Sequence, residues 1–367
     1  MGRRLRVGIL CGGKSAEHEV SLQSAKNIVE AMDQEKYEPV LMGIDKRGQW
    51  RRGNASDFLV HPDDPKRIGL NLSDEAVALL PGSVAEPLMS LSSSSTMGPI
   101  DVVFPVLHGP LGEDGTVQGL LKMLDLPFVG SGVLGSALSM DKDVTKRLLR
   151  YAGLPTPKHL AFDQSERARI NFTAIARQLG LPVFVKPANL GSSVAITKAR
   201  DRQDFEDAID RALDYDRKVM VEEYIQGREI ECSVLGNERP IASLPGEVIP
   251  RHDFYSYEAK YVDEQGARLE IPAQLDERTI SRVQDLAIRT FQVSCCEGMA
   301  RVDFFLRGED EVIVNEINTI PGFTRISMYP KLWEASGITY PELIDRLIQL
   351  ALERYEREKR LKTSYFE

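Results

Sequence analysis

Apolar positions along this chain fall into two patterns. Short continuous runs rich in β-branched residues, over 5–10, 37–44 and 102–107, read as strands. Elsewhere apolar positions recur at helical spacing, as with Val20, Ala25, Ile28, Val29 and Met32, and again with Leu120, Leu121 and Leu124. Strand, glycine turn at Gly12-Gly13, helix capped by Ser15, strand: that order predicts a doubly wound α/β domain at the start of the chain. Residues 45–99 carry little periodicity and contain Leu91-Ser-Ser-Ser-Ser95, which predicts a peripheral elaboration with a flexible loop. Beyond it the spacing predicts one helix over 139–150, stopped by Gly153-Leu-Pro-Thr-Pro157. Strands are predicted over 181–187, 194–197, 219–225, within 230–248, and over 269–272 and 299–306, with a helix over 279–291 among them. A last helix over 341–356 carries Leu343, Leu347 and Leu350 on one face. No internal repeat is evident.

Several of the later strands carry polar residues that an apolar run does not need. Lys186 lies inside 181–187, where a free ammonium is expensive, so it must be paired or functional. Asp303 is set into Val302-Asp-Phe-Phe305, where Arg301 shares its face and Lys331 is a second candidate partner. In the stretch 311–329, Val312, Ile313 and Val314 begin a strand into which Asn315, Glu316 and Asn318 are set. Glu316 and Asn318 share a face, and with Asp303 they form an oxygen-rich cluster on strands able to pair antiparallel. A carboxylate and an amide oxygen on one face suit Mg²⁺, which takes few protein ligands and completes its shell with phosphates. Thr319 to Gly322 turn the chain just past these ligands. Gly191, Ser192 and Ser193 form a tight turn that covers a polyphosphate or simply closes a hairpin. With Lys142 and Lys186 as point charges, these are the parts for binding ATP with its metal ion. Glu222 and Glu223 lie on opposite strand faces, so at most one is buried. His108 and Glu17 both fall just past strand ends, where α/β sheets gather ligands. A loop-bracing histidine and an acid at a helix N-terminus are the plainer readings. Tyr255, Tyr257 and Tyr261 read either as buried packing or as part of a closing lid.

Composition changes the picture mainly by exclusion. With 367 residues, 42% hydrophobic and 28% charged, the chain is long enough for two or three globular domains. A net charge of −9 and a pI of about 5.3 argue against nucleic-acid or acidic-membrane partners. Cys11, Cys232, Cys295 and Cys296 show neither zinc nor disulfide spacing, and no signal peptide or membrane span is expected, so a reducing cytoplasm is the default. Residues 8–15 satisfy the phosphate-loop pattern and keep a kinase using Lys14 in view, but Ile9 and Leu10 are needed by the strand. A nucleotide-binding regulatory module is the other alternative, opposed by the complete acid set and Arg301.

The motifs Gly12-Gly-Lys-Ser-Ala-Glu-His-Glu-Val-Ser21, Leu107-His-Gly-Pro-Leu-Gly-Glu-Asp-Gly115, Gly130-Ser-Gly132, Met140-Asp-Lys142 and Val185-Lys-Pro187 occur in that order. They are followed by Gly191-Ser-Ser193, Tyr257-Glu-Ala-Lys-Tyr261, Arg301-Val-Asp303, and Asn315-Glu-Ile-Asn-Thr319 with Pro321-Gly-Phe-Thr324. This series resembles the ATP-grasp ligases, and among them the D-alanine–D-alanine ligase family, from about residue 6 to 340 except over 45–99. The resemblance implies mixed α/β and α+β structure in three domains. These are an N-terminal doubly wound (pre-ATP-grasp) domain over 1–130 with the first D-alanine site, and ATP-grasp subdomains over 131–227 and 228–367. It implies ATP-dependent ligation of two D-alanines through an acyl phosphate, for peptidoglycan precursors, by a cytoplasmic homodimer. By the same likeness Lys142, Lys186 and Ser193 contact ATP phosphates, and Glu222, Glu223, Ile225 and Glu229 take the adenine and ribose. Asp303, Glu316 and Asn318 hold two Mg²⁺ ions, with Mn²⁺ able to substitute. Glu17 takes the first D-alanine ammonium, hydrogen-bonded with Ser192 and Tyr261, while His108, Lys260, Ser327 and the Met328 backbone complete the substrate sites. Arg301 and the Gly322 N–H stabilise the tetrahedral intermediate. The chain departs from the family at the variable positions Arg325 and Ile326. The D-alanine–D-lactate ligases lack the Glu-Ala-Lys-Tyr lid sequence, so Tyr261 argues against that relative.

Overall fold

In the computed structural model the first apolar run, Leu5–Gly12, pairs in parallel on both sides, with Tyr37–Ile44 and with Val102–Pro105. The described residues are 3–53, 58–62, 64, 66–71, 75–83, 86–192, 194–250 and 267–365. Alternate side chains of a strand face opposite ways, and here both faces are covered. Val7, Ile9 and Cys11 pack with Leu22, Ala25 and Ile28 of the helix His18–Ala31. Leu10 faces the other way, toward Val117 and Leu121 of the helix Thr116–Met123. The phosphate-loop reading fails on this geometry. Gly8, Ile9 and Leu10 are spent in the strand, the turn comes at Gly12 and Gly13 with φ of +87° and +96°, and Lys14 is exposed.

Two expectations for this half are corrected. Ser15 does not cap the helix; its hydroxyl accepts the Glu17 N–H, and Glu17 stands at the N-cap position before His18. Residues 45–99 are also less peripheral than their pattern suggests. Trp50–Arg52, Glu75–Leu79 and Leu88–Ser90 extend the sheet antiparallel beyond Tyr37–Ile44, giving six strands. Strands this short show too few alternations to register as a pattern.

A second, four-stranded antiparallel sheet is built from His159–Asp163, Val183–Pro187, Thr197–Ala199 and Lys218–Glu223. The predicted strand over 194–197 is displaced to Thr197–Ala199. Val183, Val185, Val219 and Val221 bury one face under the helices Phe172–Leu179 and Arg202–Leu213. The alternate residues Lys186 and Glu222 consequently share the other face.

The third sheet has Arg228–Gly236 at its centre, flanked by Gly298–Arg307 and Gly246–Pro250 and continued by Glu311–Asn318 and Ala267–Glu270. Its apolar face, with Ile230, Val302, Val314 and Ile317, packs on the helix Glu277–Val293. The predicted single helix over 139–150 is two helices, Val133–Met140 and Lys142–Tyr151. Asp141 interrupts them in an extended conformation and caps the second by accepting the Asp143 and Val144 N–H groups. The final helix, Tyr340–Lys359, lays Leu343, Leu347 and Ile348 against the core shared with the N-terminal sheet. Among the described residues no helix is long and apolar enough to cross a membrane.

Candidate active site

The polar faces of the second and third sheets line one cleft, a cavity of about 380 Å³. Lys186, Glu222, Glu223, Ile225, Glu229 and Glu316 all lie on its walls, so the folding of distant segments brings these sequence-predicted residues together. The Lys186 ammonium is paired, as its strand position demands: Nζ lies 2.5 Å from a Glu222 carboxylate oxygen. Glu222 is the buried member of its pair, 3% exposed, while Glu223 turns out and accepts the Lys158 N–H at 2.7 Å. Lys142 begins its helix with Nζ donating to the Leu190 carbonyl at 2.6 Å and lying 3.7 Å from Glu316.

Asp303 and Glu316 are register partners on the antiparallel strands, as are Arg301 and Asn318. The register slips between Asp303 and Phe304, and Asn315 is the extra residue of this bulge. That insertion lets Val314 and Ile317 both face the core while Asn315 and Glu316 both line the cleft. The Arg301 guanidinium donates to both Asp303 oxygens at 2.7 Å and lies 2.9 Å from Glu231. The Asn318 amide donates to Asp303 at 3.0 Å. Among the described residues no group of three or more His, Cys, Asp or Glu side chains is arranged as a metal site. Two carboxylates and an amide are nevertheless an all-oxygen donor set, which fits a hard divalent ion carrying phosphate ligands and not a soft one.

A second group of predicted residues meets at the N-terminal sheet edge. The Ser192 hydroxyl donates to Glu17, which is 6% exposed. A Cβ on Gly109 would lie 2.9 Å from the other Glu17 oxygen, and at φ +75° only glycine is comfortable there. His108 is buried, and burial pulls its pKa below the usual value, so the ring is neutral. Its Nδ1 donates to the Ile320 carbonyl at 3.0 Å, leaving Nε2 to accept from the Ser24 hydroxyl at 3.4 Å. The histidine thus braces the turn after Asn318 from across the molecule. At that turn a Cβ on Gly322 would meet the Ser327 hydroxyl at 2.7 Å, and Ser327 is the N-cap residue of the helix Met328–Ala335. Arg325 is exposed and points to Glu30, 3.7 Å away. Ser193, Lys260 and Tyr261 lie outside the described residues, as do Tyr255 and Tyr257.

Sequence reasoning missed four residues of this region. Lys146, 1% exposed, lies 2.7 Å from Glu222 and donates to the Asn315 carbonyl at 2.5 Å. Burial pushes its pKa down to about 8. Burial alone would raise Glu222, but Lys146 and Lys186 outweigh it and hold the carboxyl down at about 2. Glu231 carries the far side of Arg301. Glu113 accepts the N–H groups of Gly109 at 2.7 Å and Ile320 at 3.2 Å, and Ser24 accepts that of Phe323 at 3.1 Å. The available signal for Lys146 was its place four residues after Lys142, one helical turn along the same face.

Two antiparallel sheets closing on a cleft of lysines and acids, beside an N-terminal α/β unit, define an ATP-grasp ligase fold. Residues 6–131 match the family model described as D-ala D-ala ligase N-terminus, and residues 148–349 match that of the D-ala D-ala ligase C-terminus. The chain belongs to the D-alanine–D-alanine ligase family. It is 57% identical to a D-alanine–D-alanine ligase of Shouchella clausii, over 99% of this chain and 98% of that protein. The solved D-alanine-D-alanine ligase of Coxiella burnetii superposes with a TM-score of 0.85 at 40% identity, covering 98% of this chain and 97% of that one. The VanG D-Ala:D-Ser ligase of Enterococcus faecalis superposes with a TM-score of 0.83 at 34% identity, covering 95% and 100%.

Proposed function

We propose that this chain joins two D-alanine molecules to D-alanyl-D-alanine, with ATP cleaved to ADP and phosphate, as a step in cell-wall precursor synthesis. The observation that carries the reading is the family match over residues 6–131 and 148–349 on a chain whose cleft wall carries Lys186 and Glu316, with Lys142 3.7 Å from Glu316. A carboxylate oxygen of the first D-alanine attacks the γ-phosphorus of ATP, forming an acyl phosphate and releasing ADP. The amine of the second D-alanine then adds to that carbonyl, loses a proton, and phosphate leaves as the amide forms.

In this reading Glu17 takes the first ammonium, and Lys142 and Lys186 act as point charges on the phosphates. Glu222, Glu223, Ile225 and Glu229 receive the nucleoside end. Arg301 and the Gly322 N–H face the tetrahedral carbon's oxygen, and Ser327 with the Met328 N–H takes the second carboxylate. Asp303, Glu316 and Asn318 would hold Mg²⁺, whose contribution is to neutralise charge between the terminal phosphates. We further propose three functional units over 1–130, 131–227 and 228–367, a homodimer, and a cytoplasmic location.

The test is phosphate release from ATP and Mg²⁺ with D-alanine as first substrate and D-alanine, L-alanine, D-lactate or D-serine as second, with products identified by mass. D-Alanine alone should give full turnover and the dipeptide. Turnover that requires D-serine or D-lactate would move the assignment to another second substrate, and no D-alanine-dependent phosphate would overturn it.

A further inference from the structure

Lys146 has no place in that reaction scheme, yet it is among the most buried charged side chains of the molecule. Its ammonium sits where three elements meet. The helix Lys142–Tyr151 supplies it, the strand Lys218–Glu223 faces it with Glu222, and the strand Glu311–Asn318 offers the carbonyl of the bulged Asn315. Glu222 is therefore gripped from two sides, one oxygen by Lys146 at 2.7 Å and the other by Lys186 at 2.5 Å. Lys186 is 6% exposed and lines the cleft; Lys146 is 1% exposed and does not.

This asymmetry matters when a polyphosphate arrives. Phosphate oxygens compete with Glu222 for the Lys186 ammonium. A buried carboxylate losing its one counter-ion is strongly disfavoured, and that cost would be charged against nucleotide binding. A second ammonium on the protected side removes the penalty, because Glu222 stays neutralised while Lys186 turns to the ligand. We infer that Lys146 is a positioning residue for nucleotide binding: it carries the Glu222 charge so that Lys186 is free to engage the phosphates. The inference rests on the reading of the cleft as the nucleotide site. Lys146 itself touches no ligand in this arrangement, and its action runs wholly through Glu222.

The experiment is calorimetric binding of ATP with Mg²⁺ to the full chain and to K146M, E222Q and K146M/E222Q, with steady-state kinetics on each. In K146M the affinity for ATP should fall about 10- to 100-fold, the usual cost of removing a group that orients a ligating side chain. KM for ATP should rise by a similar factor, with kcat changed much less. Neutralising Glu222 removes the reason for Lys146, so K146M on the E222Q background should cause no further loss, and K146M/E222Q should bind better than K146M. A further loss on that background would mean that Lys146 meets the nucleotide directly, and unchanged affinity in K146M would mean that it only holds the fold; either overturns the inference. Should K146M fail to fold, the comparison of E222Q with K146M/E222Q still decides it. No binding of ATP by the unsubstituted chain would instead remove the reading of the cleft.

Discussion

The Arg301 guanidinium reaches Asp303 and Glu231, so its charge is fixed in place by two carboxylates before any substrate is present. Such preorganisation is what makes a charge effective in a transition state, because little rearrangement remains to be done. Arg301→Ala should lower kcat by about 10²–10³-fold while leaving KM for ATP little altered. Initial-rate kinetics check this, and a raised KM at unchanged kcat would remove Arg301 from the chemistry. Gly322 is constrained differently. A methyl there would stand 2.7 Å from the Ser327 hydroxyl, which also bonds the Thr324 hydroxyl at 2.7 Å. Gly322→Ala should cost about 1–3 kcal/mol, as overpacking does. Adding Ser327→Ala removes the offending oxygen, so the double variant should lose less than the sum of the singles in chemical denaturation. Strict additivity would place the clash elsewhere. At this scale the sequence was most legible where a polar residue interrupts an apolar strand, as at Lys186, Asp303 and Glu316. Lys146 escaped because a lysine on a helix ordinarily lies in solvent, and only the packing of two strands against it closes that face.

At the scale of elements, the break at Asp141 does more than end one helix. It starts the next, so Lys142 occupies the first helical position with its Nζ 3.7 Å from Glu316, a residue of the cleft wall. The Asp141 carboxylate caps the helix and also lies 2.6 Å from Lys218 on the neighbouring sheet. Asp141→Ala removes cap and ion pair together and should destabilise by about 0.5–2 kcal/mol. Asp141→Asn retains a capping oxygen and gives up only the pair, so it should keep most of the stability. Denaturant unfolding of the two variants separates these, and equal losses would show that the ion pair, not the cap, sets this boundary. The apolar pattern could not show the break, since neither glycine nor proline marks it. The bulge at Asn315 is hidden for the same kind of reason: Val314 and Ile317 look out of phase until an extra residue between them is allowed. Strands flanking Leu5–Gly12 were readable because strands buried on both faces give continuous apolar runs.

Across the whole molecule, the turn that carries Gly322 is held from the N-terminal side. His108 donates to the Ile320 carbonyl, Ser24 accepts the Phe323 N–H, Asn27 donates to the Phe323 carbonyl at 3.1 Å, and Glu113 accepts the Ile320 N–H. None of these links is readable from sequence, because each joins residues some two hundred positions or more apart. Glu113 gives the connection a pH dependence. Burial, with the Glu17 carboxylate nearby, outweighs its two amide donors and raises its pKa from 4.5 to about 8. Between those values the folded chain keeps a proton that the unfolded chain has released. Its contribution to stability is therefore complete below about 4.5 and is lost as pH rises toward about 8. Glu113→Gln cannot ionise, so melting temperatures measured across this interval should decline less steeply with rising pH in the variant than in the parent chain. Parallel profiles would mean that Glu113 is already ionised at neutral pH and that the two backbone N–H groups hold a carboxylate.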